Sequence, residues 1–294
     1  MAFSFLLFLA LIGVAESSGR LNQQENKYLQ NVCGTKPLDS IAKPNGFQSD
    51  SQKRSLYGGR PITGDMAPWA VQVEFEVGRK CSGTLISSRH ILTASHCGWE
   101  NKYKGSPWLN YSKTDNLILT QNNDLWKVFG SDGRPLSSKV PKMVLMNYCL
   151  QADWRYDDLM IWELQEDVVF NDYVHPACVL PNWPNMTTFN FYLTGFGHNN
   201  WQFNNENQSG TSELRDGFMT YIGYYNEGRT LILRGDSQNV AVRPGDSGSG
   251  AFITFNSRFY IVGVGSGAED FTAVYTNVVG HYPQICHYTG ICWS

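Results

Sequence analysis

A histidine, an acidic pair and a serine, each in a distinctive local setting, are the residues of this 294-residue chain whose types suit covalent chemistry. His96 closes Leu92-Thr93-Ala94-Ser95-His96 and is followed by Cys97, with Cys81 sixteen residues before that cysteine. Asp157-Asp158 opens the apolar stretch Leu159-Met160-Ile161-Trp162, and Ser247 lies in Pro244-Gly245-Asp246-Ser247-Gly248-Ser249-Gly250. A serine hydroxyl is a weak nucleophile at neutral pH and needs an adjacent base. A histidine, with an unperturbed pKa of about 6.5, can take that proton and return it to a leaving group. A buried carboxylate then fixes the imidazole tautomer and stabilises the imidazolium. Glycines beside the serine let backbone N–H groups approach an oxyanion, and losing one such donor costs roughly 10²–10³ in rate in other hydrolases. Together these types would perform acyl transfer. Taken singly, each has a plainer account: a packed histidine, a solvated acidic turn, a glycine loop. Their order, the bracketing cysteines and the texture of the surrounding chain carry the chemical reading.

That texture is all-β. From Trp69 onward, short apolar or alternating runs recur at Ala70–Phe75, Gly83–Ile86, Asn116–Thr120, Leu159–Leu164, Phe189–Leu193, Leu231–Leu233 and Tyr260–Val264, separated by Gly, Asn, Asp and Ser. Many short strands between turn signals predict a barrel or sandwich. The best helical period is Asn277 to His287, which predicts a short C-terminal helix, and the Asn-rich stretch 199–207 reads as a surface loop.

The chain is long enough to bury a substantial core. Hydrophobic residues make up 42%, and the net charge of −3 carries no long run of one sign, which argues against nucleic acid or an anionic membrane as partner. Phe3 to Ala15 is apolar throughout and followed by Glu16, Ser17, Ser18 and Gly19, the pattern of a secretory signal covering residues 1–18. Residues 19–54 are polar, short of apolar periodicity and close on Lys53-Arg54, as a propeptide or exposed N-terminal arm would. Residues 55–294 then form the functional domain, secreted and extracellular, with no membrane attachment once the signal is removed. Export implies that most of the seven cysteines pair, leaving one over, and gives meaning to N-x-S/T sequons at Asn110, Asn185 and Asn207 as glycosylation sites. No C-x-x-C occurs, so no zinc site is expected.

From about residue 55 to 290 the chain resembles the chymotrypsin/trypsin family of serine proteases. Leu56-Tyr57-Gly58-Gly59 is similar to that family's mature N-terminus, Ile-Val-Gly-Gly, and Pro68-Trp69-Ala70-Val71-Gln72-Val73 to its first core strand. Thr93-Ala94-Ser95-His96-Cys97 resembles Thr-Ala-Ala-His-Cys, Asp158-Leu159-Met160-Ile161 resembles Asp-Ile-Ala-Leu, and Gly245-Asp246-Ser247-Gly248 matches Gly-Asp-Ser-Gly. The resemblance implies two packed six-stranded antiparallel β-barrels with a short C-terminal helix. It implies a triad of His96 as base, Asp158 rather than Asp157 as orienter, and Ser247 as nucleophile. The Gly245 and Ser247 amides would form the oxyanion hole, and Ser266 would hydrogen-bond the triad aspartate. Asp246 would receive the amino group freed when the precursor is cut, which makes the uncut chain a poorly active zymogen.

The same resemblance pairs Cys81 with Cys97 and Cys33 with Cys178, so that the arm stays attached after cleavage. It suggests Cys149 with Cys286 or Cys292, against a local Cys286–Cys292 loop. It implies protein or peptide substrates, an activating protease, a monomer, and neither a metal nor an organic cofactor. Three departures stand out. Cleavage after Arg54 would leave Ser55 first, one residue longer than the family pattern. Ala241 occupies the pocket-base position where trypsins carry aspartate, and Arg243 stands in place of the usual cysteine. Gly267, Ala268 and Ala273 alter the pocket wall, which is also short, so a small or apolar side chain is expected there. These departures keep open a protease-like domain that binds partners without cleaving. An α/β-hydrolase is disfavoured because Ser249 breaks Gly-x-Ser-x-Gly and the triad order differs.

Overall fold

The computed structural model describes residues 19–35, 59–75, 80–98, 117–120, 126–137, 140, 142–146, 157–184, 190–198, 211, 213–225, 228–235 and 240–293. The signal segment, Lys53-Arg54 to Gly58, Cys149 and the sequon residues Asn110, Asn185 and Asn207 lie outside them.

Alternating and apolar runs rich in Val, Ile, Tyr and Phe suit a pleated, half-buried surface, and they build two sheets. The first contains β2 (Ala70–Phe75), β3 (Lys80–Leu85), β4 (His90–Thr93), β5 (Leu117–Thr120), β6 (Trp126–Phe129), β7 (Pro135–Ser137), β8 (Lys142–Leu145) and β9 (Met160–Glu163). Its order is β5-β8-β9-β4-β3-β2-β6-β7, an open path among the described residues. The second contains β1 (Arg60–Pro61), β10 (Cys178–Val179), β11 (Asn190–Gly195), β12 (Arg215–Tyr225), β13 (Thr230–Gly235), β14 (Gly250–Phe255), β15 (Arg258–Glu269) and β16 (Thr272–Asn277). Here β12-β11-β14-β15-β16-β13 closes on itself, because β13 pairs with both β16 and β12. The result is a closed six-stranded barrel facing a curved half-barrel, and the all-β, trypsin-like expectation holds. The segment Asn277–His287, read as helical, is a 3-10 turn over Val279–His281 running into a helix at Tyr282–Thr289. No helix among the described residues is long and apolar enough to cross a membrane.

Trp69, fully buried, packs its ring 5.1 Å from Phe252 and 4.8 Å from Phe259, so the residue opening the first sheet sits in the core of the second. Trp126 meets Trp162 edge-on at 5.2 Å within the first sheet. These contacts and the chain-crossing bonds Ala177 N to Leu85 O (2.9 Å) and His175 N to Pro68 O (3.0 Å) set the sheets against one another.

The arm is not the exposed segment that its polarity suggests, at least over residues 19–35. Gln23–Val32 form a helix, α1, started by a capping box: the Asn22 side chain accepts from the Gln24 and Glu25 amides, and Glu25 returns the bond to the Asn22 N–H. Within α1 itself only Leu29 is buried, so helical periodicity in apolar residues was too faint to see. Polar contacts hold the helix instead. Asn26 and Gln30 both donate to the Cys292 carbonyl, at 2.6 and 2.7 Å. Arg89 bridges Glu25 and Asp167. Arg258 donates to the carbonyls of Gln30, Asn31 and Cys33, each at 2.9 Å, which places a cation at the helix C-terminus where the macrodipole favours one. The expected Cys33–Cys178 disulfide fastens the end of the arm beside β10. Of the alternatives for the C-terminal cysteines, the local loop forms: Cys286 pairs with Cys292, six residues on. Its proximity favours closure.

Because Arg258 satisfies three helix carbonyls, Arg258→Ala should speed amide hydrogen exchange in α1 by roughly tenfold or more, about the value of one to two charge-assisted hydrogen bonds. Exchange in β11 and β14 should stay unchanged. Equal acceleration in the barrel would mean that the arm and barrel open as one unit.

Candidate active site

β4 and β9 are antiparallel neighbours with Thr93 opposite Met160, so their adjacent ends deliver the two residues that follow and precede them. His96 lies in the single helical turn Ser95–Gly98 (α2) and Asp158 two residues ahead of β9. The Asp158 carboxylate is 2% exposed and takes three hydrogen bonds. His96 N donates to Oδ1 at 2.9 Å, and His96 Nδ1 and Ser266 Oγ donate to Oδ2 at 2.6 and 2.7 Å. Ser266 comes from β15, so the carboxylate draws donors from both sheets. The Cys81–Cys97 disulfide forms as expected and ties β3 to α2. Its two sulfurs are bonded to each other, so their grouping with His96 supplies no thiolate for a metal.

Burial disfavours the His96 imidazolium, yet the charge and hydrogen bond of Asp158 outweigh it and hold its pKa above the ordinary 6.5. The His96 side chain remains 36% exposed, leaving one edge of the ring open.

Ser247 stands in a loop laid directly onto the ends of β3 and β4. Ser247 O accepts from Ser82 N at 2.8 Å, Gly245 O accepts from Ser82 Oγ at 2.8 Å, and Gly248 N donates to Gly265 O at 2.7 Å. Gly248 has φ +81°, and a Cβ there would fall 2.2 Å from Ser82 O, 2.3 Å from Thr93 Oγ1 and 3.0 Å from Ala94 N. Only glycine lets the serine loop approach the strand end that carries His96. Among the described residues the Gly245 and Ser247 N–H groups meet no acceptor within the protein.

Asp246 points the other way, wholly buried, with Oδ1 accepting from Gly197 N at 2.8 Å and Oδ2 from Arg243 N at 3.0 Å. Burial raises its pKa from 3.8 to about 7, against the two amide bonds and the charges of Arg243 and Arg215 that act to lower it. A Cβ on Gly197 would sit 2.1 Å from Asp246 Oδ2, so that glycine is the wall of the carboxylate's pocket.

Of the residues expected to shape specificity, Gly267, Ala268 and Ala273 share the β15–β16 ribbon. Ala241 is fully buried. Gly267 pairs with Val274, Ala268 with Ala273 and Glu269 with Thr272, so β15 and β16 remain zipped up to a two-residue turn at Asp270-Phe271. The ribbon carries a methyl group on each strand, at Ala268 and Ala273.

Two features were not singled out in the sequence. Ser82 binds three ways, to Gly245 O, Ser247 O and Phe196 N, and positions the serine loop from beneath. Its place next to Cys81 was the available signal. Asp157, set aside in favour of Asp158, engages His281 and Arg229.

Comparison with known proteins agrees with this geometry. The chain is 28% identical over 250 residues to CLIP domain-containing serine protease B15 of Anopheles gambiae, covering 76% of this chain and 66% of that protein. It is 30% identical over 166 residues to the venom serine protease Bi-VSP of Bombus ignitus, covering 52% and 41%. It is 25% identical over 257 residues to a venom protease of Bombus pensylvanicus, covering 77% and 96%. The chain thus spans 66% and 41% of the length of the first two and nearly all of the third. The profile of the nematode trypsin-6-like family matches residues 3–292, and the chain belongs to that family.

Proposed function

We propose that this chain is a secreted serine endopeptidase, made as a zymogen, that hydrolyses peptide bonds in extracellular proteins or peptides. The observation that carries this reading is the buried Asp158 carboxylate held by His96 and Ser266, with the glycine-flanked Ser247 loop packed against the turn bearing His96. Ser247 Oγ attacks the scissile carbonyl while His96 Nε2 takes its proton. Asp158 keeps Nδ1–H pointed at itself, so that Nε2 is the basic nitrogen, and it steadies the imidazolium that forms. The oxyanion is received by the Gly245 and Ser247 N–H groups, which meet no acceptor among the described residues. His96 then returns its proton to the leaving amine, and water repeats the sequence on the acyl-enzyme.

In this reading residues 1–18 are the signal, 19–54 the arm and 55–294 the protease domain, glycosylated at Asn110, Asn185 and Asn207. An activating protease cuts after Arg54, with trimming of Ser55 or a longer terminus inserting toward Asp246. The new ammonium pairs with this buried carboxyl and orders the oxyanion loop as it does so. The Ala268–Ala273 ribbon and Ala241 leave room for a small apolar substrate side chain.

The first experiment is labelling by a fluorophosphonate, before and after limited cleavage by trypsin. Labelling should appear after the cut and vanish in Ser247→Ala. A correctly cut, folded protein that never labels would instead be a binding module on a protease scaffold. In the active form kcat/KM should rise with pH through a midpoint above 6.5, since His96 must be neutral to act as base and its pKa is raised. Asp158→Asn should lower kcat by roughly 10⁴-fold.

Asp246 makes a separate prediction for the uncut chain. Its folded pKa, about 7, exceeds the unfolded value near 3.8, so its contribution to stability is full below about pH 4 and is lost as pH rises through about 7. Denaturant unfolding across that window should show this downward trend, absent in Asp246→Asn. Cleavage should flatten it by giving the carboxylate an ammonium partner; an unchanged slope after cleavage would mean that no terminus inserts.

A further inference from the structure

Asp157 has a receptor of its own, built by the closed barrel. Its Oδ1 accepts from His281 Nε2 at 2.9 Å and its Oδ2 from Arg229 Nη1 at 3.2 Å. His281 is 2% exposed at the end of the 3-10 turn Val279–His281, and Arg229 precedes β13. Asn277 binds these two segments into one unit. Its N–H donates to Arg229 O at 2.7 Å and its Nδ2 to Gly228 O at 2.6 Å. Its carbonyl meets His281 Nδ1 at 2.8 Å, and its Oδ1 accepts from Val279 N at 3.1 Å. The receptor is therefore preorganised from residues 228–229 and 277–281, on the opposite sheet from the strand that follows Asp157.

Leu159 N donates back to Asp157 O at 2.8 Å, which closes a three-residue turn with Asp158 at its centre. In so tight a turn the direction of the central side chain follows from where the first and last residues are held. Ser95 Oγ, donating to Leu159 O at 2.8 Å, holds the last. We propose that His281 and Arg229, by holding Asp157, position the Asp158 carboxylate against His96. They are positioning residues that register the two sheets at the site of chemistry. The proposal rests on the protease reading for its kinetic consequence, but the geometric coupling is independent of turnover. Among the described residues, the ionisable groups hydrogen-bonded to Asp157 include His281 from the 3-10 turn and Arg229 from the turn before β13, and that bonded to His96 Nδ1 is Asp158.

The test uses the full chain after cleavage, and the same chain carrying Ser247→Ala. The pH titration of His96 is followed through the low-field NMR resonance of its Nδ1 proton, alongside kcat/KM and thermal melting, for Asp157→Ala, Asp157→Asn and Arg229→Gln. Asp157→Ala should lower kcat/KM by roughly 10- to 100-fold, mostly in kcat, the scale of a slightly misplaced catalytic group. It should also move the His96 titration to lower pH, because a displaced Asp158 supports the imidazolium less. Asp157→Asn, which keeps an acceptor for His281 Nε2, should recover much of both effects, and Arg229→Gln should give a smaller shift of the same sign. A lower melting temperature with the His96 titration and kcat unmoved would overturn the proposal and leave Asp157 a purely structural anchor. If Asp157→Ala fails to fold, the titrations of Asp157→Asn and Arg229→Gln decide by the same criterion. A parent protein that neither hydrolyses nor labels would sink the protease reading, while the resonance would still decide the coupling.

Discussion

A single buried carboxylate, Asp158, is the constraint around which this structure is arranged. Removing a charge from water is costly unless donors surround it, and Asp158 has three within 2.9 Å, two from His96 and one from Ser266. His96 belongs to the half-barrel and Ser266 to the closed barrel, so the site exists only where the sheets meet in one register. The Trp69 ring inserted among Phe252 and Phe259 sets that register through apolar packing. The Ser82 bonds to the serine loop set it again through polar contacts a few residues away.

Asp246, at the other side of the serine loop, is equally buried but differently served. Burial pushes its pKa up to about 7, only partly offset by the two backbone amides it accepts from, and it takes no side-chain hydrogen bond among the described residues. Adjacent residues, 246 and 247, thus differ in setting: the Asp246 carboxyl is sealed against Gly197, while the Ser247 carbonyl accepts from Ser82 N on the other sheet. A loop that turns from one to the other within a residue requires the positive φ of Gly245 and Gly248 on either side. That is why an aspartate and a serine stand between glycines here, and why the proposed oxyanion donors and the proposed switch lie on one short stretch.

The arm adds a third set of long-range contacts. Its helix is held by side chains reaching across to carbonyls of residue 292 and by Arg258 reaching back to the helix end. Such an element gains little from apolar burial of its own and depends on the finished domain. The Cys33–Cys178 bond keeps it at high effective concentration there.

Much of the site was legible from local pattern. His96 and Ser266 both bond Asp158, and the short apolar or alternating runs became β2, β9, β11 and β15, because strand texture and glycine-bounded loops are written in neighbouring residues. The helix at Gln23–Val32 was not legible, since its partners lie from 64 to 266 residues away and its one buried residue is Leu29. Nor was the place of Asp157. The motif marks Asp158 for His96, but the partners of Asp157 follow only from packing, which brings His281 and Arg229 of the closed barrel to it. The sequence by itself determined the chemical groups, their order and the short-range shapes that present them, because those depend on residue type and local spacing. Tertiary structure alone decided that Asp157 meets His281, how the Ala268–Ala273 ribbon closes and where the arm docks, because each depends on contacts between segments far apart in the chain.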